Sequence, residues 1–152
     1  MSTVEDRLSE LGIAVPDVAK PVAAYVPAVR SGDHVFTAGQ LPMREGELLA
    51  TGKVGGSITP EQAVDCARQC ALNALAAIRA EVPLDDITRI VKVVVFVAST
   101  PDFTGQPGVA NGVSELLGDV FGDAGRHARS AVGVPVLPLD APVEVELVVE
   151  VR

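Results

Sequence analysis

The stretch Ile90-Val91-Lys92-Val93-Val94-Val95-Phe96-Val97-Ala98 decides the fold predicted for this chain. All of its residues except Lys92 are apolar, and most are β-branched or aromatic, which is typical of a strand buried on both faces. We therefore expect Ile87–Ala98 to be the central strand of a β-sheet. Both faces of such a strand need a cover of other apolar groups.

The C-terminal strand, predicted over Val143–Val151, has one apolar face and one acidic face. Alternate residues of a strand point to opposite sides of the sheet, so every second residue from Val143 shares the apolar face. The other face carries Glu144, Glu146 and Glu150. We expect the apolar face to meet the helices and the acidic face to lie opposite them. The sequence offers no further helix to cover that second face, which predicts that another copy of the chain covers it.

Two helices and several short strands complete the predicted fold. The first helix begins at a capping box, with Thr59 as the N-cap, Pro60 in the first helical position and Gln62 three residues after the cap. The remaining elements are predicted at Val109–Phe121 (helix), Val22–Val29, Asp33–Ala38 and Ser130–Val134 (strands). The order ββ(β)αβαββ indicates the α+β fold class, with a mixed β-sheet and two helices packed on one face. Residues 1–21 are expected to form an N-terminal extension with a short helix over residues 3–12, and residues 22–152 a single domain.

The composition excludes several classes of protein. With 152 residues, of which 48% are hydrophobic and 21% charged, the chain is long and apolar enough for one domain with its own core. Its formal net charge of −8 repels phosphate backbones and anionic lipids, so we do not expect nucleic acid as a partner. Residues 1–10 lack the apolar stretch of a secretory signal, and no apolar run is long enough to span a bilayer. We expect a cytoplasmic protein with no membrane contact.

Several familiar types of site are not predicted. Cys66 and Cys70 share one face of an alanine-rich helix, where buried free thiols are expected rather than metal ligands. His34 and His127 are far apart in the sequence and fit no zinc or nucleophile–base motif. The loop Gly52–Ser57 is rich in glycine but lacks the strand–loop–helix order of a phosphate-binding loop. We therefore predict no metal and no cofactor.

Three motifs carry a stronger signal. Thr37–Pro42, with the sequence TAGQLP, follows a predicted strand, and Ala128–Ser130 places an arginine at the start of another. Glu144 and Glu146 lie on a face that we expect to be covered, and buried carboxylates need partners such as arginine. With these motifs the chain resembles the RidA/YjgF family of imine/enamine deaminases, also called endoribonuclease L-PSP-like proteins. The resemblance extends, in the family's order, to Tyr25, the sequence VKVVVFVAS at residues 91–99, and Asn111.

The resemblance implies a chorismate-mutase-like fold, a homotrimer and ligand sites in the clefts between subunits. The family's carboxylate-binding arginine falls on Arg129 and its water-positioning glutamate on Glu144, which we expect near Arg129 on an antiparallel neighbouring strand. Four further positions would contact the substrate: Tyr25, Gly39, Asn111 and Ala131. Ala131 stands where the family commonly has cysteine. The family uses mainly the backbone N–H of that residue, which alanine also supplies. His127 replaces a frequent proline. The N-terminal residues and the loop Gly46–Ser57 resemble a longer branch of the family.

The reaction that the resemblance implies is hydrolysis of 2-imino acids to 2-oxo acids and ammonia, without a cofactor. Arg129 offers a planar fork for the substrate carboxylate, and Glu144 can deprotonate the attacking water. Two alternatives remain open. One is a non-catalytic trimer that binds small carboxylates such as 2-oxo acids, and the weaker one is an endoribonuclease.

Overall fold

The structure, a computed structural model, describes residues 3–21 and 24–152. Its helices are α1 (Val4–Glu10), α2 (Pro60–Arg79) and α3 (Gln106–Phe121). Its strands, in chain order, are β1 (Ala28–Ser31), β2 (His34–Thr37), β3 (Met43–Arg44), β4 (Glu47–Leu48), β5 (Ile87–Ala98), β6 (Ala128–Val134) and β7 (Val143–Val151). This arrangement confirms the predicted α+β fold class. In the part of the chain that the structure describes, no helix is long and apolar enough to cross a membrane.

The main sheet has five strands in the order β1-β2-β7-β5-β6, and β3 pairs with β4 in a separate hairpin. β5 runs parallel to β6 and antiparallel to β7. The middle strand is therefore β7, and the prediction that Ile87–Ala98 is central was wrong by one place. The reason is topological: α3 carries the chain from β5 across to a parallel neighbour, and this crossover places β6 at the edge.

Helices α2 and α3 pack on one face of the sheet, as predicted. The capping box at the start of α2 is present, because Thr59 Oγ1 accepts from the Gln62 amide at 3.1 Å and Gln62 Oε1 accepts from the Thr59 amide at 2.8 Å. A Cβ on Gly112 of α3 would lie 2.5 Å from the Val64 carbonyl oxygen, so the two helices approach each other closely there. Helix α3 begins at Gln106, three residues before the predicted start, because Pro107 is accommodated in its first turn.

The two cysteines of α2 are buried and free, as predicted. Burial, together with the smaller effect of the charge of Asp65, raises the pKa of Cys66 to about 11. Burial raises the pKa of the Cys70 thiol well above its usual value as well. Since the thiolate is the reactive form, both side chains behave as core residues.

The opposite face of the sheet is only partly covered within one chain. On the helix side of β5, Ile90, Val93, Val95 and Val97 are fully buried. On the other side, Val94 and Phe96 are half-buried, and the neighbouring Phe36 and Val132 are 46% and 43% exposed. Within one chain this face of β5 is partly open, and its cover by another copy stays a prediction.

The N-terminal part differs from the prediction in one detail. Strand β1 begins at Ala28 rather than at Val22, because Pro27 has no N–H to donate to a strand ladder. Tyr25 consequently lies in a bend before the strand and not within it. The predicted strand start and domain boundary at Val22 lie outside the described residues. The short helix α1 is present within the predicted range, and its Leu8 is 2% exposed in the common core.

Candidate functional site

The predicted site residues form two groups on opposite faces of the sheet. Arg129 of β6 is paired with Val93 of β5, and Val93 is fully buried on the helix-covered face. Glu144 of β7 is paired with Phe96, which is three residues further along β5 and so on the other face. β6 and β7 are separated by β5, which places their backbones about 10 Å apart. The expectation that Arg129 lies on an antiparallel neighbour of the glutamate strand was therefore wrong.

In the first group, the Arg129 guanidinium is anchored through one of its three nitrogens. Arg129 Nη1 donates to Asn111 Oδ1 at 2.8 Å and to Ser114 Oγ at 3.1 Å. Asn111 and Ser114 are one helical turn apart on α3, so they present their polar groups to the same side. No residue in the described chain accepts from the Nε and Nη2 side of the guanidinium. That side has the parallel N–H geometry that binds a carboxylate through two hydrogen bonds.

Two residues of this group were not assigned a role from the sequence. Ser114 Oγ lies 2.9 Å from His127 Nε2, and His127 Nδ1 lies 2.7 Å from the Gly125 carbonyl oxygen. The spacing of Asn111 and Ser114 on a helix is a signal that could have identified Ser114. The position of His127 beneath them depends on the turn before β6, which has no such periodicity.

The second group places a carboxylate against a glycine. A backbone bridge joins Gln40 and Val145, with the Gln40 amide donating to the Val145 carbonyl at 2.8 Å and the reverse bond at 3.0 Å. This bridge lays the segment after β2 along the start of β7. Gly39 thus lies directly beside Glu144, so closely that a Cβ on Gly39 would be 2.8 Å from Glu144 Cδ.

The surroundings of Glu144 favour its protonated form. Burial raises the pKa of this carboxyl group, and the negative charge of Glu146 raises it further. A carboxylate whose pKa is raised is a stronger base than one at its ordinary value. Glu144 can therefore accept a proton from a bound water and later return it.

A cavity of about 680 Å³ adjoins Gly39. Tyr25 lines the same cavity, so these two predicted substrate contacts lie together. The N-terminal segment, which the sequence marked only as an extension, forms one wall through residues 16–21. Sequence reasoning missed this wall because the segment has no periodic pattern that predicts where it packs.

Ala131 lies apart from this cavity, on β6. It is paired with Val95 and so shares the helix-covered face with Arg129, two residues away. Its side chain is half-buried and packs against the core. Arg129, Asn111 and Ala131 thus form the first group, beside the edge strand β6. Tyr25, Gly39 and Glu144 form the second group.

Comparison with known proteins places the chain in a family. The model of the endoribonuclease L-PSP family matches residues 16–151. The chain is similar to protein TCP17 of Trypanosoma cruzi, with 45% identity over 98% of this chain and 94% of that protein. It is also similar to the 2-iminobutanoate/2-iminopropanoate deaminase of Dermatophagoides farinae, with 31% identity over 92% of this chain and 95% of that protein.

A solved structure shares the fold over nearly the whole chain. The protein Atu1372 from Agrobacterium tumefaciens superposes with a TM-score of 0.90 and 42% identity, covering 99% of this chain and 94% of that one. Its similarity extends over the N-terminal segment as well as the sheet and helices. The chain therefore belongs to the endoribonuclease L-PSP family, the RidA/YjgF family that its motifs indicate.

Proposed function

We propose that this protein hydrolyses 2-imino acids and their enamine tautomers to 2-oxo acids and ammonia. The observation that carries the proposal is the guanidinium of Arg129, which is anchored at Nη1 by Asn111 and Ser114 and offers its Nε and Nη2 side to a ligand. Such an arrangement selects a planar anion, and a 2-imino acid carries a carboxylate beside its electrophilic C=N carbon.

The site is proposed to form between subunits of a homotrimer. Arg129 and Glu144 lie on opposite faces of the sheet in one chain and cannot meet on one small substrate there. The acidic face of β7 belongs to the sheet face that also carries exposed apolar side chains, including Phe36 of β2 and Val132 of β6. A second copy placed on this face would bury them and could bring its own Arg129 to the first copy's Glu144.

In the proposed reaction, Arg129 binds the carboxylate and Glu144 orients a water beside the C=N carbon. Glu144 takes a proton from the water as its oxygen bonds to that carbon, and passes this proton to the nitrogen, which becomes an amino group. Glu144 then transfers the hydroxyl proton of this tetrahedral intermediate to the amino group as the C–N bond breaks, which releases ammonia and leaves a C=O group. An imine already reacts with free water, so the positioning of reactants, worth up to about 7–11 kcal/mol in ideal cases, supplies the acceleration.

The experiment that tests the proposal times the hydrolysis of a freshly made imine. An L-amino-acid oxidase generates the 2-imino acid in place, and its disappearance is followed with and without the protein, with buffer and a heat-denatured sample as controls. A rate increase proportional to protein concentration supports the enzyme. Binding of 2-oxobutanoate without any rate increase would instead support a trimer that only binds carboxylates, since the Arg129 fork serves both roles.

The structure offers less for a ribonuclease. His127 is engaged by Ser114 and Gly125 beside α3. The backbone of His34 lies opposite that of Glu150 where β2 pairs with β7, toward the other end of the sheet from His127. The two histidines therefore do not form an acid–base pair within the described chain. The net charge of −8 also opposes binding of a phosphate backbone. A homopolymer RNA incubated with the protein should remain intact.

A further inference from the structure

The hydrogen bonds behind Arg129 form a chain with a defined direction. His127 Nδ1 lies 2.7 Å from the Gly125 carbonyl oxygen, and because a carbonyl can only accept, Nδ1 carries the proton. In the neutral ring Nε2 is then an acceptor, so the Ser114 hydroxyl 2.9 Å away donates to it. The lone pairs of Ser114 Oγ remain free to accept from Arg129 Nη1 at 3.1 Å.

This series of hydrogen bonds ends at a backbone carbonyl that has little freedom to move. Gly125 is buried at the end of a short 3₁₀ turn, Gly122–Gly125. A Cβ on Gly125 would lie 2.9 Å from the Leu117 carbonyl carbon, so the turn packs directly on the backbone of α3. The carbonyl that accepts the hydrogen bond from His127 is thereby fixed relative to the helix that carries Asn111 and Ser114.

We infer that His127 and Ser114 are positioning residues that hold the carboxylate-binding side of Arg129 toward the substrate. The inference rests on the proposed function, because it assigns a task within the same site. A proline, which the family resemblance indicates as frequent at position 127, has no side-chain group that could accept from Ser114. In this chain the histidine therefore adds a second support for the guanidinium, beside the one from Asn111.

Two variants of His127 separate its hydrogen bonding from its packing. His127→Phe keeps the ring volume and removes both nitrogens, whereas His127→Gln keeps an amide oxygen as acceptor near the position of Nε2. With an imine substrate we expect His127→Phe to raise KM five- to tenfold and to change kcat less than twofold. The KM of His127→Gln should lie much closer to the wild-type value than that of His127→Phe. A purely structural role would not distinguish the two variants in this way.

Ser114→Ala provides the same test without risk to the fold, since alanine is favoured in a helix. It should raise KM by a factor similar to that of His127→Phe. Glu115→Gln, on the exposed side of the same helix, is the matched control and should leave KM unchanged. In an Arg129→Lys background, Ser114→Ala should have no further effect, because the guanidinium that it positions is gone.

Calorimetric titration with 2-oxobutanoate makes the test independent of turnover. Weaker binding by His127→Phe and Ser114→Ala supports the inference, whether or not the wild type hydrolyses imines. A wild type that hydrolyses imines while both variants keep its KM and its affinity would overturn the inference and leave the proposed function standing. A wild type that neither hydrolyses imines nor binds 2-oxobutanoate would overturn both.

Discussion

Gly39 and Glu144 lie in contact, although they are more than a hundred residues apart in the sequence, and the space for a side chain at position 39 is filled by the glutamate carboxyl group. The bridge between Gln40 and Val145 fixes this contact through two backbone hydrogen bonds. The glycine thus leaves room for the carboxylate at the start of β7. No left-handed backbone conformation is involved, because the φ angle of Gly39 is not positive.

Gly39→Ala should therefore displace Glu144 without straining the backbone. The new methyl group would lie 2.8 Å from Glu144 Cδ, and the carboxyl group must rotate away. We expect imine turnover to fall tenfold or more while the assembly stays intact. Gly118→Ala is the control, because a Cβ there meets nothing within 4 Å. It should keep full turnover and raise the free energy of unfolding by about 0.5–1 kcal/mol, the helix preference of alanine over glycine. Full turnover by Gly39→Ala would remove this contact from the site.

Arg129→Lys keeps the positive charge and loses the planar fork. Its single ammonium group cannot donate to Asn111, Ser114 and a carboxylate in the present geometry. We expect kcat/KM for imine hydrolysis to fall at least tenfold, consistent with about 1.5–3 kcal/mol for a charge-assisted hydrogen bond. Arg126→Lys, at an exposed position three residues earlier, is the matched control and should behave as wild type. Equal rates for both variants would exclude Arg129 from the site.

The fold could be predicted well wherever a local pattern determines it. The capping box at Thr59 located the start of α2, and the alternation along Val143–Val151 identified which face of β7 meets the helices. The place of β5 in the sheet was missed because strand order depends on how the chain crosses over, which periodicity does not encode. The separation of Arg129 from Glu144 was missed for the same reason, since it depends on the register of β5 with both of its neighbours.

The protonation of Glu144 links the site to stability. Burial, followed by the charge of Glu146, raises the pKa of Glu144 in the folded protein above its unfolded value of about 4.3. The contribution of Glu144 to the free energy of unfolding is thus complete below the unfolded pKa, and it is lost as the pH rises through the folded pKa. At pH 7 the charged carboxylate costs stability in the single chain, so Glu144→Gln should melt at a higher temperature than wild type when both are dissociated by dilution. The difference should vanish near pH 4, and a lower melting temperature for the variant at pH 7 would contradict the raised pKa.

Glu144 and Glu146 share one face of β7, and only the first contacts Gly39. Glu144→Gln keeps the shape and removes the base, so it should lower turnover strongly while 2-oxobutanoate still binds. Glu146 makes no hydrogen bond or ion pair with any residue the structure describes, which suits a contact with a basic group of another copy. Glu146→Gln should therefore loosen the assembly, measured by light scattering on dilution, with a smaller effect on turnover. The opposite result for the two variants would exchange their roles.

The most direct measurement mixes two inactive chains. Arg129→Lys and Glu144→Gln chains are co-expressed with different tags, and particles that carry both tags are purified and weighed by light scattering. We predict a mass of about three times 15.7 kDa. One cleft in each mixed trimer then combines an intact Arg129 with an intact Glu144, so about one third of wild-type imine turnover should return. Mixed particles no more active than either variant alone, or a monomeric mass, would contradict a site shared between subunits.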